Sequence, residues 1–323
     1  MTRPPYVRTD GRGPGIPPEY APGVRVLNFL RRPLVAIDVG TAATRVSFGP
    51  GGVFERPSVV REDVQGSVVV RPAMRFGVVA DISGVAGVVH ALLAQRRRPW
   101  GQRPGAIVCA PTDVSAPERD ALIEAVAEGG ASVVAVVPEP LAAAVGAGVD
   151  IAADYATALV DIGEGVTDFA VFRNGTIVRS SARRVGCGTL RAAIQEWLEL
   201  RHGLQPLPED AVDAVVRSYC CRGGAGAGAV LPLTQDDLEM LLEPVLEEIA
   251  SFLAAAVREL PDAIAAEVIE SGIHVTGGGA HLERLVRRIE TGIGLPLTAS
   301  PEPRLAVIRG ATKMLGNERL LRA

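Results

Sequence analysis

Two short segments of this 323-residue chain have residue types and spacing that suit an anionic ligand. In Asp38–Thr44 and in Asp161–Thr167, an apolar run leads to an aspartate, a glycine turn and then a threonine six residues after the aspartate. A turn without β-carbons lets backbone N–H groups approach a phosphate-sized anion closely. The equal spacing suggests an internal duplication, although two ordinary hairpins would also give this pattern.

A third glycine turn lies nearer the C-terminal end. Residues 273–276 are predicted to be a strand that ends at Gly277-Gly278-Gly279, and a helix is predicted at 282–290. A glycine turn at the start of a helix suits contact with a nucleotide. Lys313 is the only lysine, so the chain has no P-loop motif. Backbone N–H groups, hydroxyls and a metal ion would therefore have to hold any phosphate.

The elements that position these turns alternate between strands and helices. Apolar runs predict strands at 106–110 and 133–137, and capping patterns predict helices that begin near Ser115 and Thr234. Asn174-Gly175 predicts a hairpin turn after the second aspartate motif. Such alternation is typical of an α/β fold, and the chain length favours two domains.

The amino-acid composition limits which partners and which cellular location we expect for this protein. The net charge of −4 argues against a dedicated nucleic-acid-binding protein. The sequence has no apolar run long enough for a transmembrane helix and no signal peptide at its start, so we expect a cytoplasmic protein. Residues 1–32 are basic and rich in Pro and Gly, and we expect them to be a disordered tail. Within it, residues 24–32 suit either a lead-in to the first strand or contact with an anionic membrane.

A basic loop carries one of the two tryptophans. Trp100 lies among Arg96, Arg97, Arg98 and Arg103. This composition suits a loop at a membrane interface, because indole favours the headgroup region and arginine pairs with lipid phosphate. A solvated basic loop with a packed tryptophan fits the same residues.

In order along residues 33–316, these segments resemble the MreB family of bacterial actin homologues, within the actin/Hsp70/sugar-kinase ATPase superfamily. The segments that carry the resemblance include Asp38-Val-Gly-Thr-Ala, Pro57-Ser-Val-Val, Glu139-Pro-Leu-Ala-Ala-Ala-Val-Gly-Ala-Gly148, Asp161-Ile-Gly-Glu-Gly-Val-Thr and Thr276-Gly-Gly-Gly-Ala280. The resemblance implies an α/β, actin-like (ribonuclease H-like) duplicated two-lobe ATPase fold. Residues 33–160 and 300–323 would form lobe I, and residues 161–299 would form lobe II.

The resemblance also implies a role for individual residues in binding ATP and Mg²⁺ between the lobes. Asp38 and Asp161 would hold Mg²⁺ through water, and two carboxylates suit such a hard, hydrated cation. Glu139 would orient the water that attacks ATP; without the resemblance it is a favourable charge at a helix N-terminus. The remaining residues would hold the phosphates (Gly40, Thr41, Gly163, Glu164, Gly165, Thr167) and the adenosine (Gly277, Gly278).

By resemblance, the chain is expected to be a cytoskeletal protein at the inner face of the membrane, acting in cell-wall or spore-wall morphogenesis. Its expected partners are copies of itself or other MreB-type subunits, and the cell-wall synthesis machinery. If active, it would be a slow ATPase. Its preference for arginine over lysine, with much alanine and glycine, suggests a GC-rich genome such as that of an actinobacterium.

Departures from the family pattern support a second interpretation. Ala43 stands where MreB usually has Asn, and Glu164 replaces the middle glycine of its turn. The segment 60–71 is short, and 208–219 lacks the Lys-x-Glu pair expected at the ribose and base. The small subdomains are therefore expected to be reduced, and the chain could be a non-polymerising partner of full-length MreB with weak or no nucleotide binding. A phosphotransferase or Hsp70-like chaperone is less favoured, because no extra substrate domain is visible.

Overall fold

The computed structural model of the chain describes residues 33–49, 52–64, 67–96, 103–204, 206–221 and 231–315. The strands are β1 (Leu34–Val39), β2 (Ala43–Ser47), β3 (Val53–Pro57), β4 (Val59–Val64), β5 (Ser67–Pro72), β6 (Met74–Arg75), β7 (Val78–Val79), β8 (Gly105–Ala110), β9 (Ser132–Pro138), β10 (Thr157–Ile162), β11 (Thr167–Arg173), β12 (Thr176–Arg183), β13 (Ile273–Thr276) and β14 (Leu297–Ala299). The helices are α1 (Ile82–Leu93), α2 (Ala116–Glu128), α3 (Glu139–Ala147), α4 (Cys187–His202), α5 (Glu209–Cys220), α6 (Gln235–Arg258), α7 (Asp262–Ser271), α8 (Glu283–Ile293) and α9 (Ala306–Leu315).

Two five-stranded sheets have the same strand order. One runs β3-β2-β1-β8-β9 and the other β12-β11-β10-β13-β14. In each, an antiparallel meander comes first, the next strand pairs in parallel with the first strand of the meander, and the last strand pairs in parallel with that added strand. The two aspartate motifs lie at the equivalent hairpin of each sheet, so the internal duplication predicted from their spacing is confirmed.

Three apolar cores hold the sheets and helices together. The first sheet packs α1 and α2 on one face, and the second packs α4, α5, α6 and α8 on one face. The remaining faces of both sheets share a third core with α3 and α9. Because the central strands are covered on both sides, they are nearly continuous apolar runs, as in β8, whose six residues are all buried.

Helices α3 and α9 cross at unusually short distance in this shared core. A β-carbon on Gly310 would lie 1.7 Å from the carbonyl oxygen of Ala142, and one on Gly146 would lie 1.8 Å from that of Ala306. Only glycine therefore permits the crossing. Since α3 leads out of β9 and into β10, this contact sets how the two sheets lie relative to each other.

The region after β3 differs from the sequence expectations. The sequence at 62–66 predicts a turn and that at 71–81 a loop, but in the structure β4 extends to Val64, β4 pairs with β5, and β6 pairs with β7. Contacts with the neighbouring strand decide whether a short segment forms a strand, and the polar residues within these segments do not prevent it. Between residues 60 and 71 the described chain forms the β4–β5 pair.

The other sequence predictions differ less from the structure or concern residues outside the described ranges. The sequence pattern predicts one long helix from Thr234 to about Leu260, but α6 ends at Arg258 and a separate helix, α7, follows it. The N-terminal tail, the glycine-rich connector at 222–229, and Trp100 with Arg97 and Arg98 lie outside the described residues. Within the described ranges, none of the helices combines the length and hydropathy needed to cross a bilayer.

We predict that Gly310→Ala lowers the free energy of unfolding by at least about 2 kcal/mol, because the added methyl overlaps the α3 backbone. The matched control is Gly87→Ala in α1, where a β-carbon meets nothing within 4 Å; it should be neutral or stabilise by up to about 1 kcal/mol. Denaturant unfolding of both variants measures the difference, and equal stabilities would contradict the close crossing.

Candidate functional site

A cleft of about 550 Å³ lies between the two halves of the molecule. It is bordered by the carboxyl ends of β1 and β10 and by the turn after β13, the edge at which open α/β sheets bind ligands. Nine of the eleven residues predicted from the sequence line it: Asp38, Gly40, Thr41, Glu139, Asp161, Gly163, Glu164, Gly165 and Gly278.

The two glycine turns are closed in the same way. The N–H of Gly40 donates to the carbonyl of Ala43 at 3.2 Å, and the N–H of Gly163 donates to that of Val166 at 2.9 Å. These glycine N–H groups are thus already used within the turn. The residues between, 41–42 and 164–165, line the cleft, and their backbone is what an incoming anion would meet.

Asp38 is buried at the end of β1 and has a cationic partner on the neighbouring strand. Nη1 of Arg45 donates to its Oδ2 at 3.1 Å, while Nε of Arg45 donates to Glu55 at 2.6 Å. Burial nevertheless raises the pKa of Asp38, because desolvation outweighs the attraction of the guanidinium. Arg45 is a cleft residue that sequence reasoning missed, although its cross-strand position opposite Asp38 follows from the hairpin register.

Asp161 occupies the equivalent position in the second sheet, but the residue opposite it is Asp168. The Thr276 hydroxyl donates to Oδ1 of Asp161 at 2.9 Å, and burial raises the pKa of Asp161 to about 6. Asp168 accepts from the hydroxyl and N–H of Thr112 at 2.7 and 3.1 Å, and burial raises its pKa to about 7. Sequence reasoning missed Asp168; its seven-residue spacing from Asp161, equal to that of Arg45 from Asp38, was the available signal.

Glu139 begins α3 directly after β9 and faces the same cleft. Burial raises its pKa well above the ordinary value, and the negative charges of Asp168, Asp38 and Asp161 raise it further. The carboxyl groups of Asp38, Asp161, Asp168 and Glu139 thus share a poorly solvated region, in which Arg45 pairs with Asp38. Such a region favours protonation or a bound cation.

The arrangement fits Mg²⁺ held through water. Asp38 and Asp161 are the oxygen ligands that this ion prefers, and burial raises the pKa of both, so a cation beside them would favour their ionised forms. Within the described ranges, no three acidic, His or Cys side chains come close enough to surround a metal directly. A hydrated ion that uses one or two carboxylates together with ligand phosphates agrees with both observations.

The small β6–β7 hairpin lies over both glycine turns. The N–H of Gly77 donates to the Thr41 hydroxyl at 2.9 Å. A β-carbon on Gly165 would lie 2.7 Å from Cα of Phe76. The hairpin tip requires positive φ at Phe76 (47°) and Gly77 (78°). It therefore fixes the two turns relative to each other, which their spacing in the sequence could not show.

Thr167 and Gly277 lie outside the cleft lining. The Thr167 hydroxyl is fully buried and donates to the carbonyl of Val185 at 2.9 Å. A β-carbon on Gly277 would lie 2.2 Å from the carbonyl oxygen of Ile162. Both residues support the turns on the side away from the cleft. Gly278, with open space at its β-carbon position, lines the cleft.

A model of the MreB/Mbl protein family matches residues 64–215 and 224–323. The cell shape-determining protein MreB of Escherichia coli (strain K12) is 30% identical over 324 residues, covering 87% of this chain and 92% of the relative. The cell shape-determining protein Mbl of Bacillus subtilis (strain 168) is 25% identical over 318 residues, covering 88% and 96%.

Solved structures share the fold over most of the chain. The crystal structure of MreB 5 of Spiroplasma citri bound to AMPPNP gives a TM-score of 0.76 at 21% identity, covering 89% of this chain and 97% of that chain. The MamK double helical filament gives a TM-score of 0.71 at 19% identity, covering 88% and 98%.

We predict that the ligand-free protein becomes more stable as the pH falls from 8 to about 5. Asp168 has a folded-state pKa of about 7, above the ordinary unfolded value, so the folded state keeps its proton while the unfolded chain ionises. This stabilisation is complete at low pH and is lost as the pH rises through about 7. Asp168→Asn should therefore stabilise the protein at pH 8 by roughly 1–3 kcal/mol and flatten the profile.

Thermal unfolding in EDTA between pH 5 and 8 measures this effect. The matched control is Asp154→Asn, at an exposed position in the loop before β10, which should keep the wild-type profile. An Asp168→Asn profile as steep as the wild-type one would show that Asp168 is not buried as a carboxylic acid.

Proposed function

The chain belongs to the MreB/Mbl family and has its actin-like two-lobe fold, as its sequence predicted, and from that premise we propose that it is a cell-shape cytoskeletal protein that binds ATP and Mg²⁺ in the interlobe cleft. The carrying observation is that Asp38, Asp161 and Glu139, from three separate segments, meet beside two glycine turns. Two solved structures of one relative, MreB 5 of Spiroplasma citri, bound to AMPPNP and to ADP, support a nucleotide as the ligand.

In this proposal each residue has a defined task. Asp38 and Asp161 hold the hydrated Mg²⁺, which neutralises phosphate charge when bound. The turns that contain Gly40, Thr41 and 163–165 hold the phosphates through the backbone of 41–42 and 164–165, and Gly278 lies beside the adenosine. Thr167 and Gly277 act indirectly by shaping these turns.

Glu139 is proposed to orient the attacking water in a slow hydrolysis. Its raised pKa in the ligand-free cleft comes first from burial and then from neighbouring carboxylates. A bound cation would offset these negative charges, and the ionised form that can accept a proton from water would then be favoured.

We further propose assembly with copies of this chain or with other MreB-type subunits, at the inner membrane face and together with the cell-wall synthesis machinery. The MamK double helical filament, formed by a protein of the same fold, supports self-assembly. Membrane contact would use the loop around Trp100, in which Arg96 and Arg103 are exposed. Of these, Arg96 also donates to the carbonyl of Phe48 at 3.2 Å.

A non-polymerising partner of other MreB-type proteins is the second candidate. It is favoured by the small size of the β4–β5 subdomain and by α5, which contributes Glu209, Asp210 and Asp213 to the cleft. A cleft edge with three carboxylates is less favourable for a polyanion than one with lysine.

The first test of the proposal is binding of ATP–Mg²⁺ measured by calorimetry. Wild type should bind with a Kd in the micromolar range or below, and Asp161→Ala should lose at least about tenfold in affinity because one of the two proposed metal ligands is removed. Asp154→Ala, at the exposed position used above, is the control and should bind like wild type. Absence of wild-type binding would refute the nucleotide site.

The second test separates the two candidate functions. If the chain polymerises, ATP–Mg²⁺ should move most of the protein into the pellet on ultracentrifugation, and Asp161→Ala should remain in the supernatant. Persistent wild-type protein in the supernatant, at concentrations where nucleotide binding is saturated, would favour the non-polymerising partner.

A further inference from the structure

One arginine in the cleft is surrounded by carboxylates from the turn and helix that face it. Arg191 lies in the first turns of α4 and its side chain is 13% exposed. Its Nη2 pairs with Oε2 of Glu164, and its Nη1 donates to Oδ1 of Asp213 at 2.8 Å. Nε lies 3.7 Å from Oε1 of Glu209. All four residues line the cleft, so the positive charge nearest the second glycine turn is already neutralised.

The geometry of the turn holds Glu164 in this contact. The N–H groups of Cys187 and Gly188 donate to the carbonyls of Gly163 and Glu164 at 3.0 and 2.8 Å, which joins α4 to the turn. The Glu164 side chain passes over Gly188, where a β-carbon would lie 2.5 Å from Oε1. Arg191 is therefore directed at the turn, and the partner it meets there is the carboxylate of the turn itself.

The electrostatic consequence concerns any ligand phosphate at this turn. The backbone N–H groups of 164–165 favour an anion, but the Glu164 carboxylate brings a negative charge into the same turn and occupies a guanidinium that could pair with phosphate. Loss of one charge at this short range, in a partly buried site, would change the affinity for a polyanion by roughly tenfold.

We propose that Glu164 is an internal counter-anion that occupies Arg191 and thereby weakens binding of nucleoside di- and triphosphates in the cleft. This inference rests on the proposed nucleotide-binding function and adds the regulation of its affinity. In this view Arg191 is the phosphate-binding cation of lobe II, and it becomes available when the Glu164 carboxylate is neutralised or moves away. Glu164 contributes its backbone to the turn, while its side chain opposes the ligand.

Calorimetry with ATP–Mg²⁺ tests the proposal on four proteins: wild type, Glu164→Gln, Glu209→Gln and Glu164→Gln/Arg191→Met. Glu164→Gln removes the charge but keeps the size of the side chain, and should tighten binding about tenfold. Glu209→Gln removes the same charge from an exposed residue of the same cleft, 3.7 Å from Nε of Arg191, and should change the Kd less than about threefold. The double variant should lose the gain, because the released guanidinium is absent.

Three outcomes would overturn the proposal: unchanged or weaker binding by Glu164→Gln, an equal gain in Glu209→Gln, or a gain that persists without Arg191. Each variant is checked by thermal unfolding. Glu164→Gly, which keeps the glycine-rich turn and removes the whole side chain, replaces Glu164→Gln if that variant does not fold, with the same expected gain.

The outcomes separate this inference from the proposed function. Wild-type binding without a gain in Glu164→Gln leaves the nucleotide site standing and refutes the counter-anion. Binding by Glu164→Gln but not by wild type supports the counter-anion and refutes nucleotide binding by the native chain. Absence of binding in both refutes the two together.

Discussion

The close crossing of α3 and α9 is the contact on which the rest of the structure depends. Both helices lie in the core that the two sheets share, and Gly146 and Gly310 let their backbones touch. Lys313, the only lysine, strengthens the crossing, because its Nζ donates to the carbonyls of Val145 and Gly146 at 2.9 and 3.3 Å and so caps the end of α3. With the helices fixed in this way, the carboxyl ends of both sheets point into one cleft.

The duplicated hairpins show how one scaffold can hold two different charge environments. The same register position is Arg45 in the first sheet and Asp168 in the second. The first aspartate is consequently ion-paired within its own sheet, whereas Asp161 and Asp168 accept hydrogen bonds from the neutral hydroxyls of Thr276 and Thr112. Burial without full neutralisation is a cost for the ligand-free fold, and it makes the cleft receptive to positive charge.

Local sequence patterns predicted the parts of this site that a single segment contains. Glycine turns after apolar runs and the position of Glu139 after a strand need only short-range information. The missing parts all depend on pairing between distant segments. Asp168 matters because it lies across from Asp161, and Gly77 because its hairpin folds back over Thr41. Helix α7 was missed because the preceding helical pattern reads as continuous up to Leu260, and Pro261 is the one local signal that separates the two.

The arginine-rich composition has a chemical consequence for the cleft. A lysine ammonium is a compact charge on a flexible stem, whereas a guanidinium forms two or three directed hydrogen bonds at once. Arg45 and Arg191 each use this capacity to bind carboxylates from separate segments, Asp38 with Glu55 and Glu164 with Asp213. Both arginines therefore tie the walls of the cleft together in the ligand-free state. A phosphate that pairs with either guanidinium must compete with a carboxylate already in place, so in this chain the strength of ligand binding and the rigidity of the cleft are set by the same ion pairs.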